Sequence, residues 1–397
     1  MTQDKQHNRP NVPPLRFPEF TEPWETAKLG AIAEFSKGTG ISKEQRSETG
    51  LPCILYGELY TTYTNEVIED VVSKTDLDPT DLVKSQKNDV IIPSSGETAE
   101  DIATARCVTS DNVLLGGDLN IIRLVEPNDG RFMSYQLNGI RKYDIAKIAQ
   151  GVSVVHLYGG DLKMLSVTFP QSPEQKKIAD CISLLDRRIS VQSGLIEDLQ
   201  KLKAAIIERL YSQQNANNKI GEMVTQVSTR NRGYNDYSVL SVNNRLGFIE
   251  QSEQFEDRMV ASEDTSNYKV VSRDDFAYNP ARINVGSIAR LTSFEKGIVS
   301  PMYICFNTKA QLLPQYLEHF FATRYFDCEM QKRLEGSVRL CLSWEGLCNI
   351  PISVPSIEQQ EYIANRITRF ADKISLEERY LDILKIQKQH LLQAMFI

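Results

Sequence analysis

Several stretches of this sequence carry residue types that could do covalent chemistry, and none has the spacing that chemistry needs. Asn279-Pro280-Ala281-Arg282 is the nearest approach to the Asn-Pro-Pro-aromatic loop that grips a flipped adenine, but it lacks the second proline and the aromatic. Gly38-Thr39-Gly40 has no third glycine, so it reads as a turn and not as a cofactor-binding loop. Ser94-Ser95-Gly96 is not a G-x-S-x-G elbow, and spacing assigns His156 no acid or nucleophile. The sequence has no G-x-x-x-x-G-K-[ST] phosphate loop, which leaves ATP hydrolysis unsupported. Seven scattered cysteines without a Cys-x-x-Cys, and only four histidines, argue for buried free thiols over disulfides or zinc. No catalytic site and no cofactor are expected on this chain.

The elements that would position any site are organised around a long helix used twice. Apolar residues at Ile178, Ile182, Leu185, Ile189, Ile196, Leu199, Ile206 and Leu210 step by four, three or seven, the seam of one α-helix over 174–212. Adding 185 to each number gives Ile363, Ile367, Phe370, Ile374, Leu381, Leu384, Leu391 and Met395, a second helix over 359–397. The polar seam positions repeat too, Gln192 and Lys203 in the first copy, Glu377 and Lys388 in the second. At ~1.5 Å rise per residue each helix is about 60 Å long, and the only matching partner for so narrow a stripe is its own repeat. Antiparallel pairing is therefore expected, in a register that faces Lys203 with Glu377 and Gln192 with Lys388, or one close to it.

The offset continues upstream, pairing Gly151 with Gly336, Leu157 with Leu342, Leu162 with Leu347 and Pro170 with Pro355. A whole domain is thus duplicated, which implies internal pseudo-two-fold symmetry. The expected divisions are an arm over 1–24, a first domain over 25–170, a helix over 171–213, a second domain over 214–355 and a helix over 356–397. Trp24 and Phe20 would pin the arm to the first domain. Strands are expected at 52–57, 88–96, 107–115, 120–125 and 165–169, then at 236–242, 274–280, 286–291, 297–306 and 350–354, with helices over 131–150 and 314–335. Each domain is α+β, strands first and helix last.

With 41% hydrophobic and 24% charged residues, the chain can bury ordinary cores. No window approaches eighteen apolar residues, and the opening MTQDKQHNRPNVPP has no apolar signal region, so no membrane span is expected and the reading is cytoplasmic. The net charge of −7 is unevenly placed. Residues 25–170 hold 14 Lys and Arg against 21 Asp and Glu, whereas residues 219–345 hold 15 against 16. Phosphate binding would then need locally clustered cations, or a partner that supplies the positive field.

The order just described, a domain, LKMLSVTFPQSPEQKKIADCISLLDRRI, a second domain and LCNIPISVPSIEQQEYIANRITRFADKI, resembles the specificity (S) subunit of type I restriction-modification enzymes. The likeness covers nearly the whole chain, including LRFPEFTEPWE, and departs where Gln359 replaces Glu174, with Glu358 one step earlier. The resemblance implies two target recognition domains, each reading one half of a split, asymmetric double-stranded DNA sequence, held apart by two antiparallel helices. It also implies two docked methyltransferase (M) subunits and two restriction (R) subunits, with S-adenosylmethionine, ATP and Mg on those partners. The helix flanks carrying Arg187, Arg188, Arg209, Arg366 and Arg369 would serve the M subunits.

Base or phosphate contacts are expected from Arg, Lys, Asn, Gln and aromatic residues in glycine-rich loops. The second domain offers Arg230, Arg232 and Tyr234 in TRNRGYN, Arg282 and Asn284 in PARINVG, and Arg339 in EGSVRL. The first offers Lys37 and Thr39 in SKGTG, Ser94, Ser95, Glu97 and Thr98 in PSSGET, Arg106, and Val154 to His156 in GVSVVH. Taken singly, each is better explained as solvated surface charge or a turn residue. The rival readings are a structural adaptor that assembles through its helices and binds only protein, and an orphan methyltransferase, which the missing cofactor motif disfavours.

Overall fold

In a computed structural model the described residues are 11–151, 153–212, 215–232, 237–244, 246–251, 264–336 and 339–397. They form two compact units: the chain up to Ser193 together with Arg379–Ile397, and Gly194–Glu378. Each unit thus holds one globular domain, the start of one long helix and the end of the other.

The first unit is built on a five-stranded sheet in the order Ala33–Lys37, Leu119–Leu124, Asp89–Pro93, Arg106–Val108, Val67–Ile68. Neighbours are antiparallel except the last pair, where Val67 lies opposite Cys107 in parallel. The apolar run at 90–92 is buried on both sides, and successive residues go to opposite faces. Val90, Ile92 and Ile122 join a core with Phe132, Ile178 and Ile182, while Ile91 and Ile121 join another with Ile54, Leu59 and Leu115. The helix expected over 131–150 is two, Gly130–Asn138 and Lys142–Ile148. Gly139 ends the first, its N–H donating to the Tyr135 carbonyl at 2.9 Å.

The arm is pinned as expected through Trp24, which is 2% exposed and donates from Nε1 to Glu174 Oε1 at 3.3 Å. Arg16 grips the same carboxylate with two bonds of 2.7 Å. Phe17, not the expected Phe20, packs against that core. The departure between the repeats at Glu174 and Gln359 has a cause here, because Glu174 is the arm's anchor.

The second unit carries two four-stranded sheets, Val224–Val227, Ile304–Thr308, Phe276–Tyr278, Ile288–Arg290, and Gly247–Glu250, Val239–Asn243, Lys296–Val299, Lys269–Ser272. The strand expected over 297–306 is split around Pro301, one part in each sheet. The helix expected over 314–335 is likewise two, Pro314–Phe320 and Arg324–Gln331; Thr323 caps the second by accepting from Phe326 N at 3.1 Å.

The long helices span Ser172–Ser212 and Ile357–Ala394. In the first unit Ile178 and Ile182 share a core with Met395 and Phe396; in the second, Ile363 and Ile367 share one with Ile207 and Tyr211. Start meets end in each unit, so the helices run antiparallel within it. Leu185, Gln192, Ile196, Ile374 and Leu384 are also buried, and Ile189, Leu199, Phe370, Leu381 and Leu391 half-buried. Late in the first helix the buried positions move from the expected Ile206 and Leu210 to Ile207 and Tyr211. A 3.6-residue helix drifts against a 3.5-residue pattern, and the last turns answer to a domain.

The seam keeps a register close to the expected one, with Lys203 beside the turn that holds Glu377. Lys388 lies between two carboxylates, 2.5 Å from Glu66 Oε2 and 2.7 Å from Asp186 Oδ1. Lys203 lines a groove with Ala371, Ile374, Ser375 and Glu378, while Glu377 is ion-paired to Lys373 on its own helix. Lys203 also acts on His319, whose Nε2 is buried without a partner among the described residues. Burial first, then Lys203 and Arg290, push the pKa of His319 down to about 4. A folded-state value below the ordinary 6.5 means that the unfolded chain takes up the proton first, so stability is expected to fall as pH drops from about 6.5 to about 4. The loss amounts to at most about 3 kcal/mol at ~1.4 kcal/mol per unit. Comparing melting temperatures of wild type and His319→Gln across that window checks this, and parallel curves would refute it.

Candidate nucleic-acid interface

In the second unit, three loops meet around a cleft of about 840 Å³. The first follows Val239–Asn243 and supplies Asn243 and Asn244. The second is a 3-10 turn, Ile283–Val285, preceded by Asn279 and Arg282 and closed by Gly286 at φ 89°, a left-handed conformation that glycine adopts without strain. The third is the hairpin bridged by Glu335 and Cys341, with Gly336 at φ 120° and Arg339 at its tip. Leu342 N donates to the Pro280 carbonyl at 3.0 Å and ties hairpin to turn. The floor is satisfied internally: Ser287 Oγ donates to the Val242 carbonyl at 3.2 Å, and Asn279 Oδ1 accepts from Ala281 N at 3.1 Å.

Arg282 and Arg339 differ from that floor. Both are exposed, both line the cleft, and neither guanidinium has a hydrogen-bond or ion-pair partner among the described residues. The described lining includes amides and hydroxyls but no carboxylate. Two unneutralised guanidinium forks over such a surface suit phosphate oxygens and the acceptor-bearing edges of bases. Asn284 is exposed on the same turn as Arg282. Arg230 donates to Asn267 Oδ1 at 3.0 Å, Arg232 is exposed, and Tyr234 lies outside the described residues.

The first unit brings its own candidates together in the same frame. Ser95–Gly96 pairs with Val155–His156, facing Val155 with Gly96 and His156 with Ser95. Leu157 N donates to the Ser94 carbonyl at 3.0 Å, the counterpart of the Leu342 bond. Gly151 at φ 127° bends the hairpin as Gly336 does, and a Cβ there would lie 2.1 Å from the Val154 carbonyl, against 2.3 Å from that of Arg339 in the other unit. Val154 and Arg339 are therefore equivalent tips on one repeated frame. His156 is exposed with its ring stacked on Tyr158, Glu97 is exposed, and Ser94 is buried. Thr98 caps Ala99–Ile102, its Oγ1 accepting from Asp101 N at 3.1 Å. Lys37 is exposed at the end of its strand, but the Thr39 hydroxyl is committed to Val83 N at 2.9 Å.

Arg106 corrects an expectation. It is 8% exposed and donates to the carbonyls of Tyr63 at 3.1 Å and Ala105 at 3.0 Å, so it is a core brace that cannot reach a ligand. The other arginines of the first domain are also engaged, Arg46 with Glu58, Arg123 with Asp89, Arg131 with Asp129 and Asp180, and Arg141 with Asp144. The sequence analysis did not single out Asn243 and Asn244, which line the cleft, or the exposed Tyr56 and Tyr60, which meet edge to face 6.5 Å apart; Asn279 was weighed there only as part of a flipped-base loop. The glycines at 151 and 336 were the available signal, since they mark the same hairpin in both repeats.

Among the described residues no His, Cys, Asp and Glu group could hold a metal, and no helix is long and apolar enough to cross a membrane. Residues 21–201 match the family model described as type I restriction modification DNA specificity domain. The type I restriction enzyme MjaVIII specificity subunit of Methanocaldococcus jannaschii is 20% identical over 430 aligned positions, covering 98% of this chain and 95% of that one. The crystal structure of a type I restriction-modification S subunit from M. genitalium has the same fold, with a TM-score of 0.62 at 18% identity over 97% of this chain and 99% of that one. A chain from a structure concerned with complex assembly and conformational transition of the type I R-M system gives 0.56 at 14% identity over 93% and 96%. With two domains on one repeated frame and likeness over nearly its whole length, the chain shares the fold of these S subunits, and its residues 21–201 match the type I restriction modification DNA specificity domain.

Proposed function

We propose that this chain is the sequence reader of a type I restriction-modification enzyme, each unit reading one half of a split and asymmetric DNA site. The observation that carries this is the repeated loop frame, which presents Arg282 and Arg339 over a cleft with no carboxylate among its described lining residues in one unit, and different side chains in the other. Like frames with unlike tips suit two unlike half-sites. The match to a DNA specificity domain favours this over an adaptor acting on protein alone. Two M subunits dock on the long helices, and two R subunits join through them. The chemistry belongs to those partners, with S-adenosylmethionine, ATP and Mg held there, and this chain acts in the cytoplasm without catalysing a step.

The acidic first domain sets a testable limit. With 14 cations against 21 carboxylates over residues 25–170, the chain alone is expected to bind its target weakly, and the complex with M subunits tightly and with a steep salt dependence. Mapping methylated adenines in cells expressing the chain with its M subunit identifies the site, and gel shifts on that duplex measure both affinities. Nanomolar binding by the chain alone at physiological salt would sink the expectation. Methylation that ignores a split sequence would sink the proposed function.

A further inference from the structure

The two units present opposite chemistry on the same frame, and this extends the proposed function to the kind of base each one reads. In the major groove guanine offers two acceptors, O6 and N7, which a guanidinium fork meets with two donors; adenine N6 and cytosine N4 offer donors, and thymine a methyl group. On the second unit's frame stand Arg282 and Arg339, both exposed, without partners among the described residues and on one cleft. On the first unit's frame, residues 56–60, 94–101 and 150–158 include no Lys or Arg at all. The five arginines of that domain are held in ion pairs or in the core. What the frame exposes instead are the carboxylates of Glu97 and Glu100, which can only accept when ionised, the apolar Val154, and His156 with its ring stacked on Tyr158.

From this we infer that the half-site read by the second unit contains guanine, recognised at O6 and N7 by Arg282 and Arg339, whereas the first unit reads its half-site without any guanine contact, taking a base amine at Glu97 and a thymine methyl at Val154. The inference rests on the proposed function, and the test separates the two. The complex of this chain with its M subunits is assayed on the mapped site, with 7-deazaguanine, which lacks N7 but still pairs with cytosine, placed in one half-site at a time. Photo-crosslinkers at Tyr158 and at Leu340, both exposed beside the tips, assign each half-site to its unit.

In the second unit's half-site the substitution is expected to weaken binding about 10- to 100-fold, the range of one good bidentate contact. In the first unit's half-site it should have no effect. Arg282→Ala combined with Arg339→Ala should abolish the penalty, and Glu97→Ala should relax base preference at one position of the other half-site alone. A site bound and split as proposed, yet indifferent to 7-deazaguanine in the second unit's half or sensitive to it in the first, overturns this inference and leaves the proposed function standing. Absence of any split site overturns both.

Discussion

Replacing Lys388 with methionine is expected to destabilise the first unit by about 3 to 5 kcal/mol, the cost of leaving buried carboxylates without their cation. Side-chain exposure is 14% for Lys388, 11% for Glu66 and 6% for Asp186. Tyr135 OH donates to Asp186 Oδ2 at 2.7 Å and completes the cluster. Burial and Glu66 raise the pKa of Asp186 against the pull of Lys388, so this carboxylate depends on its lysine. Burial also opposes the charge on Lys388, but Glu66 and Asp186 outweigh it and its pKa is raised. A raised lysine value stabilises the fold below the ordinary 10.5 and ceases to do so as pH climbs beyond it. Wild type should therefore lose stability at strongly alkaline pH through a step that Lys388→Met lacks. Adding Asp186→Leu and Glu66→Met should recover most of the loss, since an apolar set can replace a buried ionic one. Denaturant unfolding checks this, and a cost below about 1 kcal/mol for Lys388→Met alone would show the cluster to be solvated.

Lys388 also shows where a periodic pattern stops being informative. The seam identified the residue as buried and polar, because period alone decides which face turns inward. It could not say that a carboxylate from the globular domain, Glu66, reaches that face, because the contact spans 322 residues of sequence. The same limit explains the slip from Ile206 to Ile207. Both long helices were legible since one strong period runs through each. The helices over 131–150 and 314–335 were legible as helical but not as pairs. Their breaks depend on Gly139 and on the Thr323 cap, which a period averaged over twenty residues passes over.

For the interface, legibility followed chemistry that is local. Arg282 and Arg339 lie in glycine-containing turns that sequence marks well, and the fold lines one cleft with both. Arg106 has the same residue type on a strand running into the core, and only strand register shows that it points inward. Asn243 and Asn244 end a strand whose turn carries no distinctive residue pattern. The duplication was the strongest aid, because the same hairpin with Gly151 and Gly336 singles out Val154 and Arg339 before any fold is known.

Duplication also supplies the second large effect, at a pair of equivalent glutamines. Gln175 and Gln360, 2% and 0% exposed, occupy the first turn of the two long helices and make matching bonds. Gln175 Nε2 donates to the Pro170 carbonyl at 2.8 Å and to Asn128 Oδ1 at 3.0 Å, while its Oε1 accepts from Asp129 N at 2.9 Å. Gln360 Nε2 donates to the carbonyls of Pro355 at 2.8 Å and Gln311 at 2.9 Å, while its Oε1 accepts from Leu313 N at 2.8 Å. Each amide thus joins the proline before its helix to the N-cap of a domain helix, Gly130–Asn138 or Pro314–Phe320. Only an amide supplies two donors and one acceptor in that small space. Glutamate in its place would keep the acceptor but set a carboxylate oxygen against two oxygens in a buried site, where both charge and lone pairs go unsatisfied. Gln175→Glu and Gln360→Glu are each expected to cost about 3 kcal/mol or more, the first destabilising the first unit and the second the second. Gln→Met, close in volume and without polar atoms, should cost somewhat less, since it leaves backbone groups unpaired but buries no charge. Calorimetry of the variants separates these cases: a glutamate variant as stable as wild type, or one unit tolerating what the other does not, would mean that the two joints are not the same device.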